Sequence, residues 1–329
     1  MKSKTIKAVL RKKFDDFVAS IDDPKVHALV KNNSIITGGS IASMLLKEEV
    51  NDYDVYFTNR ETILAVCEYY CNKFNDRNGN HNFSIIDGTL PIEDFLLDGK
   101  NVEQSWYDNN VTEGRIKIRV QSAGIASEPD DEYDVSSEFA PNDSDAVVEE
   151  GGSAPDVEVS MTGNVDNLNP DQSGAYRPVY ISANAITLAD DMQLIIRFFG
   201  DAQEIHSNYD FEHCKCWWTS KDSHIELPAK SLECLLAREL VYSGSKYPLA
   251  SIIRSRKFIN RGFTINAGQY LKMCLELNEY DLRDIKVLED QLTGVDAFWF
   301  ARMLACVDEE LLADAEDNDY MFNLINRFF

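Results

Sequence analysis

The chain has 329 residues, a net charge of −24, 44% hydrophobic residues and 11% aromatics. That is apolar material for a sizeable core and length for about two domains, which excludes collagen-like, fully disordered and small disulfide-scaffold classes. No run of about 18 apolar residues occurs, so no membrane-spanning helix is expected. The basic start, MKSKTIKAVLRKKF, lacks the apolar stretch and cleavage site of a signal peptide. Seven cysteines without a CxxC predict a reduced, cytoplasmic protein with no disulfides.

Ile6, Val9, Leu10, Phe14, Phe17 and Val18 recur at three- and four-residue spacing and predict a helix over 4–20. Ser34–Thr37 reads as a short strand that meets Gly38-Gly39-Ser40, and IASMLLKEE after it reads as a helix. The aromatic and β-branched run over 52–58, DYDVYFT, predicts a strand. Thr58 and Glu61 have capping-box spacing and open a helix through about 74. Strands follow over 83–86, 115–120, 179–182 and 193–199. In RIKIRV, Arg115, Lys117 and Arg119 share one face and Ile116, Ile118 and Val120 the other. A short helix over 200–207 and a strand over 210–218 come next, then helices over 229–242, 249–260, 266–277 and 296–312. The predicted class is α+β: residues 1–225 form a mixed sheet flanked by helices, and 226–329 a helical domain.

Charge is unevenly placed. Residues 126–174 hold 14 of the 56 acidic residues and no Lys or Arg. With two aromatics and abundant Ser, Gly, Pro and Asn, this stretch cannot bury enough apolar surface to offset its ordering entropy, so a solvated acidic insertion without regular structure is expected. Residues 1–13 and 246–261 are basic instead, with no acid in either. Two surfaces therefore favour anions although the whole chain is acidic.

The informative constellation is Gly38-Gly39-Ser40, then eleven residues, then Asp52-Tyr53-Asp54. Glycines let the backbone approach a phosphate without a Cβ in the way. The helix that follows points free N–H groups and its positive end at the same place. Asp52 and Asp54 lie two apart on a strand, so both carboxylates leave one face, as a hard dication requires.

This arrangement resembles the nucleotidyltransferase superfamily of DNA polymerase β: hydrophobic strand, Gly-Ser, about ten residues, then Asp-x-Asp on the next strand. The resemblance implies a nucleotidyltransferase palm that uses Mg²⁺, two ions with Mn²⁺ as a substitute, to move a nucleoside monophosphate from an NTP such as ATP to a hydroxyl. It implies metal ligation by Asp52 and Asp54, a triphosphate clamp of Gly38, Gly39 and Ser40, and a third carboxylate that binds metal and takes the acceptor's proton. Asp210, at the head of a β-like run, fits that role, with Glu212 in reserve and Asp190 and Asp191 behind. QLIIRFFGDAQEIHSNYDFEHCKCWW and ELVYSGSKYPLASIIRSRKFINRGFTINAGQYLKM are similar to nucleotidyltransferase-like proteins of large tailed bacteriophages. The resemblance covers roughly 30–60, 180–220 and 228–275 and leaves out the acidic insertion.

The superfamily's helical domain supplies triphosphate and base contacts, which nominates Lys246 for the phosphates and Tyr242 or Tyr247 for stacking; an ordinary Gly-Ser turn closed by Pro248 explains the same residues. Arg254, Lys257 and Arg261 recur on one helical face and suit a phosphate backbone, though a solvated cationic face is the plain alternative. His213, Cys214 and Cys216 lack a second ligand pair at metal spacing and read as packing, as do Cys67 and Cys71 one turn apart. The expected partners are an NTP and an acceptor that is an RNA such as tRNA, a protein or a small molecule, with no membrane. The alternative is a non-catalytic binding or virion-associated protein that keeps the fold. A toxin-like modifier shares the first chemistry and is inseparable from it by sequence.

Overall fold

The computed structural model describes residues 2–97, 99–120, 124–126, 175–292 and 319–328. Almost all of the acidic insertion, the expected helix over 296–312, and Phe298, Trp299, Phe300 and Phe329 lie outside the described residues.

The expected α+β architecture is present. Helices α1 (Ser3–Ala19) and α2 (Pro24–Asn32) lead into β1 (Ser34–Thr37), α3 (Gly39–Leu46) and β2 (Tyr53–Phe57). Then come α4 (Arg60–Asn78), β3 (Ser84–Asp87), β4 (Leu96–Leu97), β5 (Lys100–Asn101), α5 (Gln104–Asn110), β6 (Ile116–Arg119) and β7 (Gly124–Ala126). After the acidic stretch, β8 (Pro178–Ser182), β9 (Ala185–Leu188) and β10 (Met192–Phe199) form a meander, followed by α6 (Ala202–His206), β11 (Trp217–Thr219) and β12 (Ile225–Glu226). The helical region holds α7 (Ala229–Ala237), α8 (Pro248–Asn260), α9 (Ala267–Leu277) and α10 (Ile285–Gln291), and α11 (Asp319–Phe328) ends the chain.

Eight strands make one mixed sheet in the order β12-β11-β1-β2-β10-β9-β8-β7. β1 pairs antiparallel with β2, so Ile35 stands beside Tyr56. β10 lies parallel to β2 on its other side, with Gln193 opposite Asp54. Period-two alternation sorts β2 into two faces. Val55 and Phe57 join a large core with Ile6, Phe14 and Phe17 of α1, Val66 and Phe74 of α4, and Trp218. Each such fully buried side chain is worth roughly 1.5–3 kcal/mol. That core runs on through Leu235 and Leu240 to Phe263 and Met273, so the helices after β12 pack on the same apolar mass. The other face carries only a small cluster of Ile35, Tyr56, Ala202 and Ile205. By the same alternation Asp54 stands on this face, with Asp52 just before the strand.

Several expectations change. The helix after β2 is capped by Asn59, which accepts from the Thr62 N–H, rather than by Thr58. Residues 210–218 do not form one strand: Asp210 sits in a bend, Glu212–Cys214 make a 3₁₀ turn, and only Trp217–Thr219 pair in the sheet. The bend is held because the Ser243 N–H donates to the Asp210 carbonyl at 2.9 Å and Phe211 bridges Tyr242. Helix α7 ends at Ala237 rather than 242, because Arg238 turns left-handed at φ 49° and Glu239 bridges Thr264. On α1, Val9 faces solvent although it shares the apolar spacing.

Candidate functional site

β1 delivers the chain to a turn that only glycine makes without strain. Gly38 has φ 93°, and a Cβ there would lie 3.1 Å from Asp54 Oδ2. Its N–H donates to the Cys214 carbonyl at 3.2 Å, tying the turn to the 3₁₀ segment. Helix α3 starts at Gly39 with no side-chain cap, and nothing lies within 4 Å of a Cβ at Gly39. The first-turn N–H groups of α3 thus lack a side-chain acceptor. The Ser40 hydroxyl is buried, 2% of the residue being exposed, and has no hydrogen-bond partner. Thr37, just before the turn, donates to the Cys216 carbonyl at 2.9 Å and shares a 2.7 Å hydrogen bond with His206 Nε2.

The carboxylates lie around this turn. Burial pushes the Asp52 carboxyl up, and Asp191 adds to this, while Lys257 and Arg261 pull it down. Asp54 acts on the Tyr56, Tyr209 and Cys214 side chains, all raised chiefly by burial. Asp210 acts on Cys214 too, so Asp54 and Asp210 share one neighbourhood. Asp210 is 8% exposed, and its Oδ2 lies 2.9 Å from Arg254 Nη1 in an ion pair whose angle is not that of a hydrogen bond. Among the described residues, no three His, Cys, Asp or Glu side chains are grouped to hold a metal ion. Glu212 is in the 3₁₀ turn, paired with Lys215 at 2.9 Å, and so does not share a strand face with Asp210.

Of the predicted cationic residues of α8, Arg254 and Arg261 are half-buried and Lys257 is exposed. Arg254 meets Asp210, and Lys257 lies in the field of Asp52. Arg261, just past the helix, donates to Glu48 Oε2 at 2.7 Å and to Ser43 Oγ at 2.9 Å. Arg238 donates to the other Glu48 oxygen at 2.7 Å. Burial raises the Glu48 carboxyl, but Arg261 and Arg238 together hold it below the ordinary range. Glu48 therefore clamps the helical region to the end of α3. Lys246 is exposed, and its carbonyl accepts from Gln291 Nε2 at 2.9 Å. Tyr242 is buried and donates to Glu276 at 2.5 Å, and Tyr247 lies beneath the Arg197 guanidinium, 4.4 Å from its ring centre. Sequence reasoning did not single out Glu48, Tyr209 or Arg197. For Arg197 a signal existed: one cation inside the apolar run QLIIRFF needs a reason to be there.

Fold and site together define an α+β protein whose mixed sheet presents Asp54 on β2, with Asp52 just before that strand, near an uncapped helix that begins at a glycine. Residues 8–238 match the profile of the Gad2 family, described as Gabija anti-defense 2 family protein. The chain belongs to that family. A relative from Bacillus phage SPbetaL7, Gabija anti-defense 2, is 24% identical over 131 residues, which is 39% of this chain and 31% of the relative. The match thus spans about a third of that relative's length. Among solved structures, the Thermotoga maritima CCA-adding enzyme complexed with tRNA overlays with a TM-score of 0.36 and 10% identity, covering 95% of this chain and 60% of that one. That overlay is too loose to assign residues.

Proposed function

We propose that this chain is a Mg²⁺-dependent nucleotidyltransferase that moves a nucleoside monophosphate from an NTP to a hydroxyl acceptor, and that this modification serves Gabija anti-defense. The observation that carries the reading is the contact of the Gly38 turn with Asp54, where a Cβ would stand 3.1 Å from Oδ2. It sets an open helix start beside the Asp54 carboxylate, a donor set that suits a polyphosphate together with a hard cation. Asp52 and Asp54 are the candidate ligands: Asp54 lies on β2 and Asp52 just before it, and burial opposes the Asp52 charge, which a divalent cation would favour beyond what Lys257 and Arg261 supply. A divalent ion there would offset negative charge on the polyphosphate.

The chain's own groups do the rest. The α3 amides at Gly39 and Ser40 receive the phosphates, with Lys246 contributing from the solvent side. Arg254, Lys257 and Arg261 make the potential around them more positive. The acceptor oxygen forms its bond to the α-phosphorus as the α–β bridging bond breaks, and pyrophosphate leaves. Asp210 takes the acceptor's proton once Arg254 moves from it to the phosphates. The acceptor is an RNA, a protein or a small molecule on which the defence depends. The test is incubation with labelled ATP, CTP, GTP and UTP, Mg²⁺ and extract of a Gabija-bearing host. A labelled product that Asp54→Asn fails to make supports the reading, and its nuclease or protease sensitivity names the acceptor. No product with any NTP refutes it.

One observation favours a non-catalytic binding protein instead: the third carboxylate is held by Arg254. Thermal stabilisation separates the two. An NTP with Mg²⁺ at 100 times its Kd adds about 2.7 kcal/mol, and the absence of any shift favours the binding protein.

A further inference from the structure

Away from the aspartates, four elements bring three cations together. Arg115 precedes β6 and Lys117 lies within it, Arg197 comes from β10, Tyr247 caps α8, and Asp290 belongs to α10. The Arg197 guanidinium lies 4.4 Å from the Tyr247 ring centre and 5.1 Å from that of Phe198. Arg115 lies over the same two rings, at 5.6 and 5.5 Å. Two like charges are thus held against one pair of aromatic faces. Arg197 is 7% exposed, and its Nε and Nη2 are buried without a hydrogen-bond partner. Among the described residues, none of the three cations forms an ion pair. Burial, Arg115 and Arg197 all push the Lys117 ammonium down, and Asp290 is the acid that opposes them.

Such a grouping is costly by itself. The Tyr247 side chain offers Arg197 a hydrogen bond, but two of its buried nitrogens lack an acceptor, and the neighbouring Arg115 raises the penalty. A bound anion removes both costs. Guanidinium forks match tetrahedral oxyanions two bonds at a time, and Lys117 adds a point charge. Three cations against Asp290 leave about two positive charges, which a phosphate carrying about −1.5 to −2 would balance. The half-buried setting suits a compact phosphate better than a strand backbone, which meets cations at the surface. The aspartates have different cationic neighbours, Arg254, Lys257 and Arg261.

We infer that Arg115, Lys117 and Arg197, backed by Tyr247 and Phe198, form a second anion site that takes a phosphate group, either free or at the end of a nucleotide. It stands whether or not Asp52 and Asp54 bind a cation.

The test is calorimetric titration of the whole chain, in chelator and without Mg²⁺, with inorganic phosphate, pyrophosphate and ATP, using chloride of equal ionic strength as control. Saturable binding is expected below about 10 mM. Arg197→Met and Lys117→Met should each weaken it by about tenfold to a hundredfold, the loss expected for one charge-assisted contact. Arg197→Met should melt no lower than the parent without ligand, because it removes an unsatisfied buried charge. If it fails to fold, Lys117→Met decides alone. Inorganic phosphate as strong as ATP assigns a free anion, and ATP much stronger assigns a nucleotide. The combined change Asp52→Asn and Asp54→Asn should keep this binding even where it ends nucleotide transfer, so failure of one reading does not carry the other. No saturable binding of any probe, or binding equal to the parent's in the substituted chains, overturns the site.

Discussion

The ion pair between Arg254 and Asp210 is the sharpest place to test how the helical region meets the sheet. The atoms are 2.9 Å apart, and the side chains are 33% and 11% exposed. Removing one partner of a fully buried pair costs about 3–5 kcal/mol, because the other charge is left behind without hydration. Arg254 is a third exposed, so water reaches the pair and part of that cost is screened; about 2–3 kcal/mol is expected for Arg254→Met. Methionine keeps an apolar stem in the same groove, so packing loss stays small. Replacing both partners, Arg254→Met with Asp210→Asn, should cost less than about 1 kcal/mol, since no charge is stranded. The coupling would then be about 2 kcal/mol. Urea denaturation of the four proteins measures it, provided the m-value stays constant. A cost for Arg254→Met below about 0.5 kcal/mol, or additive single effects, would refute the buried pair. It would also release Asp210 as a free carboxylate, which bears directly on the proposed chemistry.

Other expectations follow from the same site. Burial raises the Asp52 carboxyl, so the fold holds that proton to higher pH than the unfolded chain, and stability falls as pH rises through the shifted value. Asp52→Asn should therefore melt at or slightly above the parent's temperature at neutral pH without metal, yet lose nucleotide transfer; a lower melting temperature contradicts the burial argument. Gly38→Ala places a Cβ at φ 93° and 3.1 Å from Asp54 Oδ2. It should cost about 1–2 kcal/mol and weaken NTP binding, and an unchanged urea midpoint would show the turn is not strained. His206 and His213 are depressed by burial to about 4 and about 3 from an ordinary 6.5. Each contributes stability that is full above pH 6.5 and drains away as pH falls toward its folded value, up to about 3 kcal/mol for His206 and about 5 kcal/mol for His213. His213→Phe should flatten the fall in stability between those limits, and an equal slope for both proteins would return His213 to a neutral filler.

What the sequence determined by itself is local. The alternation in DYDVYF sets Asp52, Asp54 and Tyr56 on one side and Val55 and Phe57 on the other; the fold keeps Tyr56 apart from Val55 and Phe57, and the strand starts at Tyr53, one residue after Asp52. The glycine pair after SIIT marks a sharp strand-to-helix turn, because Gly38 needs a left-handed φ. Apolar spacing in α1 and in the helices after 228 was legible for the same reason: each depends on neighbours within one or two turns. Tertiary structure decided the rest. The parallel pairing of β10 with β2 joins Gln193 to Asp54 across the acidic insertion, which no local pattern encodes. Asp210 leaves the predicted strand because Ser243 and Tyr242, far along the chain, bind its bend. The cations of α8 carry a helical spacing that suits solvent equally well; only packing shows Arg254 meeting Asp210 and Arg261 meeting Glu48. A carboxylate's partner is chosen by distance in space, through burial and Coulomb attraction, and sequence separation carries no information about that distance.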